Sequence, residues 1–303
     1  MKKMFLITLI CLAMAGVAYC ADNTSYEAQK LALSEYKEDG SKKWDLNASS
    51  AQMNLDDKIN LSNPKGVLYE DGRPAIELNS NKGTFNKSKK NIILNDNVVV
   101  EHKLQNSVLK TDSLKWESET SLLKTDDPIR ITREDTLVTG KEFEFDKDRE
   151  VGIIKKDVKI RKFDADEKKH PTIITCEGKM EVKYKDNLAE FFDNVVVTDP
   201  QATLKADYIR VILNKEKHEV ENIYCEGNVY VVQGDKKAVS QQANYDAIEK
   251  TIVLTGNPRL MKTENLLGAD KITFYMKDER VVCEPQARLI IFPTKEDKKI
   301  FDL

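Results

Sequence analysis

The chain has 303 residues, 33% of them charged, yet its net charge is only -3. Interspersed charges of both signs make a solvated surface and give no electrostatic case for nucleic acid as a partner. Twelve Gly and eight Pro exclude a collagen-like or linker protein, and 40% apolar residues allow a core, but a thin one suited to an elongated sheet.

Residues 1–20 stand apart: Lys2 and Lys3 form a basic start, Met4 to Met14 an apolar run, and Ala15-Gly16-Val17-Ala18 a small-residue cleavage region. This is the pattern of a secretory signal, and the run is shorter than the ~20 residues a membrane-spanning helix needs. It places the mature protein outside the cytoplasm. The alternatives are an uncleaved membrane anchor and lipidation at Cys20, although Tyr19 is bulky where a lipobox takes Gly, Ala or Ser. Residues 21–40 read as a polar tether, with Tyr26–Tyr36 as its candidate helix.

From Trp44 onward one phrase recurs eight times, about every 30 residues. Its starts are Trp44-Asp45-Leu46, Ile76-Glu77-Leu78, Val108-Leu109-Lys110 and Leu137-Val138-Thr139. They continue at Ile174-Thr175-Cys176, Leu204-Lys205-Ala206, Ala238-Val239-Ser240 and Leu267-Gly268-Ala269. Each start leads into an alternating strand, a turn, and a second strand ending in an Asn-Val or Pro-apolar step. A period of this size means stacked units that bury their apolar faces against one another. The alternation of Ile129 and Ile131 with Arg130 and Thr132, or of Phe143 and Phe145 with Glu142 and Glu144, predicts strands with one dry and one wet face. The widest gap between starts holds the charged stretch Arg161–Pro171 and divides the repeats into halves at about 41–163 and 171–293, with a charged tail over 294–303. The fold class is all-β, with two facing sheets per half. Side chains fill the slot between such sheets, or the sheets splay and leave an apolar groove; periodicity alone does not separate the two.

Catalytic chemistry is missing from the sequence. His102, His170 and His218 each sit among charged or polar neighbours, and no nucleophile elbow, Walker loop or H-E-x-x-H motif occurs. Cys176, Cys225 and Cys283 are an odd set after the signal; they read as small buried residues, with Cys225 and Cys283 too far apart to bridge, and no Cys/His pattern supports zinc or another cofactor.

The phrases Phe192-Asp193-Asn194-Val195-Val196-Val197, Cys225-Glu226-Gly227-Asn228-Val229 and Gly268-Ala269-Asp270-Lys271-Ile272-Thr273-Phe274 resemble the periplasmic lipopolysaccharide-transport family LptA (OstA-like) over about 171–292. The phrases Asn95-Asp96-Asn97-Val98-Val99-Val100, Thr125-Asp126-Asp127-Pro128-Ile129 and Val138-Thr139-Gly140-Lys141-Glu142-Phe143 resemble the sister family LptC. The chain is thus similar to an LptC–LptA fusion. That resemblance implies open, twisted β-jellyrolls that carry lipopolysaccharide from inner to outer membrane, with acyl chains in the slot. It also implies partners at the sheet edges: an inner-membrane transporter component at an N-terminal edge near Trp44–Leu55, and an outer-membrane assembly protein at a C-terminal edge near Val281–Phe292. End-to-end association of copies stays open. Alternation and family-like position together nominate Ile93, Val98, Val100, Ile129, Ile131, Phe143 and Phe145 as lining of the first half. In the second half they nominate Ile174, Val195, Val197, Val229, Val231, Tyr245, Leu254, Ile272 and Phe274. The competing readings are a structural β-repeat protein with a filled slot and an assembly factor that binds only proteins through its edges.

Overall fold

The computed structural model of the protein describes residues 26–53, 57–163, 171–200, 202–216, 219–262, 265–278 and 280–290. The signal region, the stretch 164–170 and the tail after 293 lie outside the described residues. These form two compact units, one ending at Glu134 and one beginning at Asp135. All regular structure among them is β-strand, and every pairing below is antiparallel.

In the first unit the strands are β1 (Tyr26–Tyr36), β2 (Lys42–Met53), β3 (Lys58–Ser62), β4 (Lys65–Glu70), β5 (Arg73–Asn79), β6 (Lys82–Asn86), β7 (Asn91–His102), β8 (Ser107–Glu117) and β9 (Leu122–Arg133). The second unit opens with β10 (Thr136–Asp146), β11 (Val151–Lys162), β12 (Thr172–Thr175), β13 (Met180–Lys183), β14 (Leu188–Thr198), β15 (Thr203–Leu213) and β16 (Val220–Gln233). It closes with β17 (Lys236–Asp246), β18 (Thr251–Thr255), β19 (Arg259–Lys262), β20 (Asn265–Gly268), β21 (Lys271–Tyr275), β22 (Arg280–Glu284) and β23 (Arg288–Ile290). Each repeated phrase lies in a strand or at its end.

The long strands fold over a corner, so that each half pairs in a different wing. β2 pairs with β3 on one side of the corner and with β4 on the other. β11 does the same with β13 and β12, and β17 with β18 and β19. In β7, β14 and β16, and between β18 and β19, Asn-Val and Asn-Pro steps make the corners. Asp96 and Asn97 have φ of 62° and 57°, Asp193 and Asn194 have 61° and 48°, Gly227 and Asn228 have 75° and 47°, and Gly256 and Asn257 have 76° and 57°. Two successive left-handed residues bend the strand, and Asn, Asp and Gly tolerate that conformation best. The ladder shifts register at the same places, between Asn95 and Val98, Phe192 and Val195, and Glu226 and Val229. The next residue enters the interior: Val98, Val195, Val229 and Pro258 are all buried. At Gly227 a Cβ would stand 2.4 Å from the Asp207 Oδ2, so the close approach of the neighbouring corner demands glycine there.

Two expectations are corrected. Tyr26–Tyr36 is not a helix but β1, which pairs with β2 along its length. Its Ala, Glu, Lys and Leu are good helix formers, but tertiary pairing overrides propensity. Leu31 and Leu33 face Ala48 and Leu46 across the ladder, and Lys30 has a left-handed φ of 61° with no shift of register around it. For the same reason the segment from Trp44 is no sheet edge. β2 has β1 on one side and β3 and β4 on the other, and among the described residues β1 is the outermost strand at that end.

Candidate functional site

The inner face of the second unit is built from rows of residues that oppose one another from strand to strand. Next to the corner, in the wing of β13 and β18, runs the row Ile154, Met180, Phe191, Ile209, Cys225, Ala243, Leu254 and Ile272. Every member is buried. Two residues further from the corner, the row Val182, Ala189, Val211, Ile223, Tyr245, Ile252 and Phe274 is only half-buried. It ends at Val281, which is 43% exposed. The opposite wing repeats this gradient. Val195, Ala206, Val229 and Ser240 lie buried by the corner. Beyond them Ile174, Val197, Leu204, Val231, Ala238, Leu260 and Leu267 are half-buried. That row ends at Leu289, 61% exposed. The unit is therefore sealed along its corner, while both wings keep apolar rows in partial contact with water. No charged side chain stands in these rows. Charges occupy the outer face, in pairs such as the part-buried Lys183–Glu190 at 2.7 Å and the exposed Lys141–Asp157 at 2.9 Å; an exposed pair such as the second contributes about 0–1 kcal/mol.

The first unit is closed instead. Trp44, on the wing of β4, meets Phe85, on the wing of β6, with ring centroids 5.9 Å apart. Trp116 beside Phe85's row and Leu68 and Ile76 beside Trp44 complete a packed interior, all of them buried. At its mouth the Glu35 carboxylate accepts hydrogen bonds from the Trp44 Nε1 and the Ser118 Oγ, with the Lys90 ammonium 3.2 Å away. Burial pushes this carboxyl up, but the hydrogen bonds from Ser118, Trp44 and Lys90, with Lys43 nearby, outweigh it and hold the group below its ordinary value.

Of the residues nominated from sequence, Val98, Val100 and Ile129 are buried in the first unit, and Ile131 is half-buried there. In the second unit Phe145, Val195, Val229, Leu254 and Ile272 are buried, while Phe143, Ile174, Val197, Val231, Tyr245 and Phe274 are half-buried. Ile93 is a correction: it is 38% exposed, between the buried Ile92 and Leu94, and opposes Thr84 and Lys115 on the outer face. Sequence reasoning missed Met180, Phe191 and Ile209 of the buried row and Leu204, Leu260 and Leu267 of the half-buried one. Cross-strand opposition, rather than alternation within a strand, is the signal that finds them.

Cys225 shares a row with Cys283, but Ala243, Leu254 and Ile272 stand between them, so four strand spacings separate the two, not the two expected from one strand per repeat. Cys176, Cys225 and Cys283 are free thiols. Burial pushes Cys225 up to about 12 and Cys176 up to about 11, and raises the half-buried Cys283. Since the thiolate is the reactive form, iodoacetamide at about pH 8 should label Cys283 at least ~10-fold faster than Cys225, read by peptide mass spectrometry. Equal rates would show that the buried row opens readily. Among the described residues no cluster of His, Cys, Asp or Glu could hold a metal ion, and no helix is long and apolar enough to cross a membrane.

Corner-folded antiparallel strands with a continuous apolar inner face define a jellyroll-like β-repeat protein that presents a surface rather than a reaction centre. Residues 15–164 match the family described as lipopolysaccharide-assembly, LptC-related, and residues 178–280 the LptA/(LptD N-terminal domain) LPS transport protein family. The two segments stand in tandem, the arrangement of an LptC–LptA-like fusion. It is 28% identical over 103 residues to the lipopolysaccharide export system protein LptA of Escherichia coli (strain K12), and equally to that of Shigella flexneri. The match takes in 31% of this chain and 55% of the relative, so the chain spans about half the length of the curated relatives it matches. Among solved structures, LptH, the LptA-homologous periplasmic component of the lipopolysaccharide transport device of Pseudomonas aeruginosa, is similar at 18% identity, covering 41% of this chain and 96% of that chain with a TM-score of 0.37.

Proposed function

We propose that the chain is a periplasmic bridge that binds lipopolysaccharide and passes it from the inner towards the outer membrane, holding acyl chains against the inner rows of the second unit. The observation that carries this reading is the pair of half-buried apolar rows flanking a sealed corner. An acyl chain laid there covers side chains that are otherwise wet, at roughly 0.8 kcal/mol per buried methylene. Because opposing residues repeat from strand to strand, neighbouring positions offer similar contacts, and a chain can shift along the sheet without crossing a charged step. The outermost strand β1 faces an inner-membrane transporter component. β22 and β23, with Val281, Leu289 and Ile290 exposed, face an outer-membrane assembly protein. Unpaired strand edges recruit partners by backbone hydrogen bonds. Export to the periplasm rests on residues 1–20.

Photo-crosslinking with lipopolysaccharide tests the groove. A crosslinker at Phe274 or Val231 should capture the lipid, and one at Val196, which opposes Thr175 and Lys205 on the outer face, should not. The reverse pattern would assign the lipid to the outer face and remove the reading.

A further inference from the structure

The two units hold their interiors differently, and the first carries a device at its mouth. Glu35 sits on β1, the outermost strand, opposite Trp44 on β2. Its carboxylate takes the Trp44 indole N–H and the Ser118 hydroxyl from the facing wing, and the Lys90 ammonium approaches from the β6–β7 turn. The Trp44 N–H is shared with the Ser118 Oγ at 3.2 Å, and the Lys43 ammonium donates to the Ser118 carbonyl at 2.6 Å. These contacts tie one lip of the unit to the other. They are also at the rim: the Glu35 and Lys90 side chains keep 22% and 40% of their surface exposed. Behind them the interior is largely apolar, with buried hydroxyls such as that of Thr125, and β8 adds two polar groups. The Trp116 Nε1 and the Thr111 Oγ1 are buried without a hydrogen-bond partner. Buried polar groups are normally paired, and an orphaned donor costs free energy until it finds an acceptor. The closed interior thus holds two groups that an ester, amide or phosphate oxygen would satisfy.

We propose that Glu35, Trp44 and Ser118 form a latch that keeps the first unit shut at rest, and that its release swings Trp44 away from Phe85 and admits the acyl chain of an amphiphile. The inference rests on the reading of the second unit as an acyl-binding cleft. In this scheme the second unit is always open and the first is gated. The outermost position of β1 makes the latch sensitive to whatever pairs with that strand.

The chain's only two tryptophans, Trp44 and Trp116, both lie in the first unit, so contact quenching reports that interior alone. Dibromostearate is the probe, titrated into the full-length native chain and the variants Glu35→Gln, Ser118→Ala and Lys90→Ala. In parallel, a crosslinker at Phe274 reports capture of lipopolysaccharide by the second unit. Weakening the latch raises the open fraction, so half-quenching should need about tenfold less dibromostearate in the variants than in the native chain. Lys90→Ala removes a contact from the rim alone, and it serves if Glu35→Gln does not fold. Equal quenching of native chain and variants would overturn the latch. So would no quenching anywhere while Phe274 still crosslinks, and that result would leave the second-unit reading intact. Quenching that follows the expected order with Phe274 silent would support the latch and remove the second-unit reading instead.

Discussion

Tyr245→Asp should abolish lipopolysaccharide capture while leaving the protein folded. Tyr245 is half-buried in the outer of the two inner rows, opposite Ile223 and Ile252. In the lipid-free protein a carboxylate there reaches water, so the folded state loses little. Once an acyl chain covers the row, the same carboxylate is buried with no partner in its row, and the cost is several kcal/mol. A cost of about 3 kcal/mol lowers affinity by more than ~100-fold. Tyr245→Phe, which keeps the apolar surface, should bind normally. Titration with labelled lipopolysaccharide beside a thermal melt separates the effects, and unchanged affinity in a folded Tyr245→Asp protein would remove this row from the binding surface. The matching change at Leu254, which is 2% exposed, would destroy the fold and report nothing about lipid.

In the first unit the large effect is on stability. Trp116→Ala should cost about 3–5 kcal/mol, because the side chain is 2% exposed and truncation leaves a cavity between Ile92 and Leu123 that the strands cannot close. Trp116→Phe should cost far less, within about 1.5 kcal/mol, because it also removes the buried indole N–H that has no acceptor. Urea unfolding followed by the fluorescence of Trp44 measures both. If Trp116→Phe proved as damaging as Trp116→Ala, the indole nitrogen would have to have a partner in solution, and the account of a dry, closed interior would fail.

The sequence showed the strands and the repeat clearly, because period-two alternation and Asn-Val steps are local signals. It did not place the corners: the Asn-Val steps read as strand ends, whereas they lie inside β7, β14 and β16, where Asn, Asp and Gly accept consecutive left-handed positions. Counting across the corners was harder. In β7, β14 and β16 the inward residues step by four across the corner, as from Leu94 to Val98, Phe191 to Val195 and Cys225 to Val229. In β8, β15 and β17 they step by three, as from Thr111 to Leu114, Ala206 to Ile209 and Ser240 to Ala243. A strict count of two loses phase in the second group, whereas in the first it holds. Val98 and Val100 therefore implied Ile92 and Leu94 as inward residues, and Ile93 fell on the wrong face. β1 was illegible for another reason: its composition suits a helix, and only pairing with β2 makes it a strand. The difference between an open and a filled slot was also hidden, since it depends on Trp44 meeting Phe85 from a distant strand.

The ladder runs unbroken over the boundary between the two family matches. β11, inside the LptC-related segment, pairs with β12 and with β13, which lies inside the LptA-type segment. Where two such segments are separate polypeptides, their junction assembles and dissociates with concentration. Here one backbone joins them, and the local concentration of each for the other is fixed by a short connection. Dilution cannot uncouple them, and neither can be supplied in excess of the other. Under the proposed function, passage at this step depends on the lipid and the edge partners, not on the encounter of the two segments.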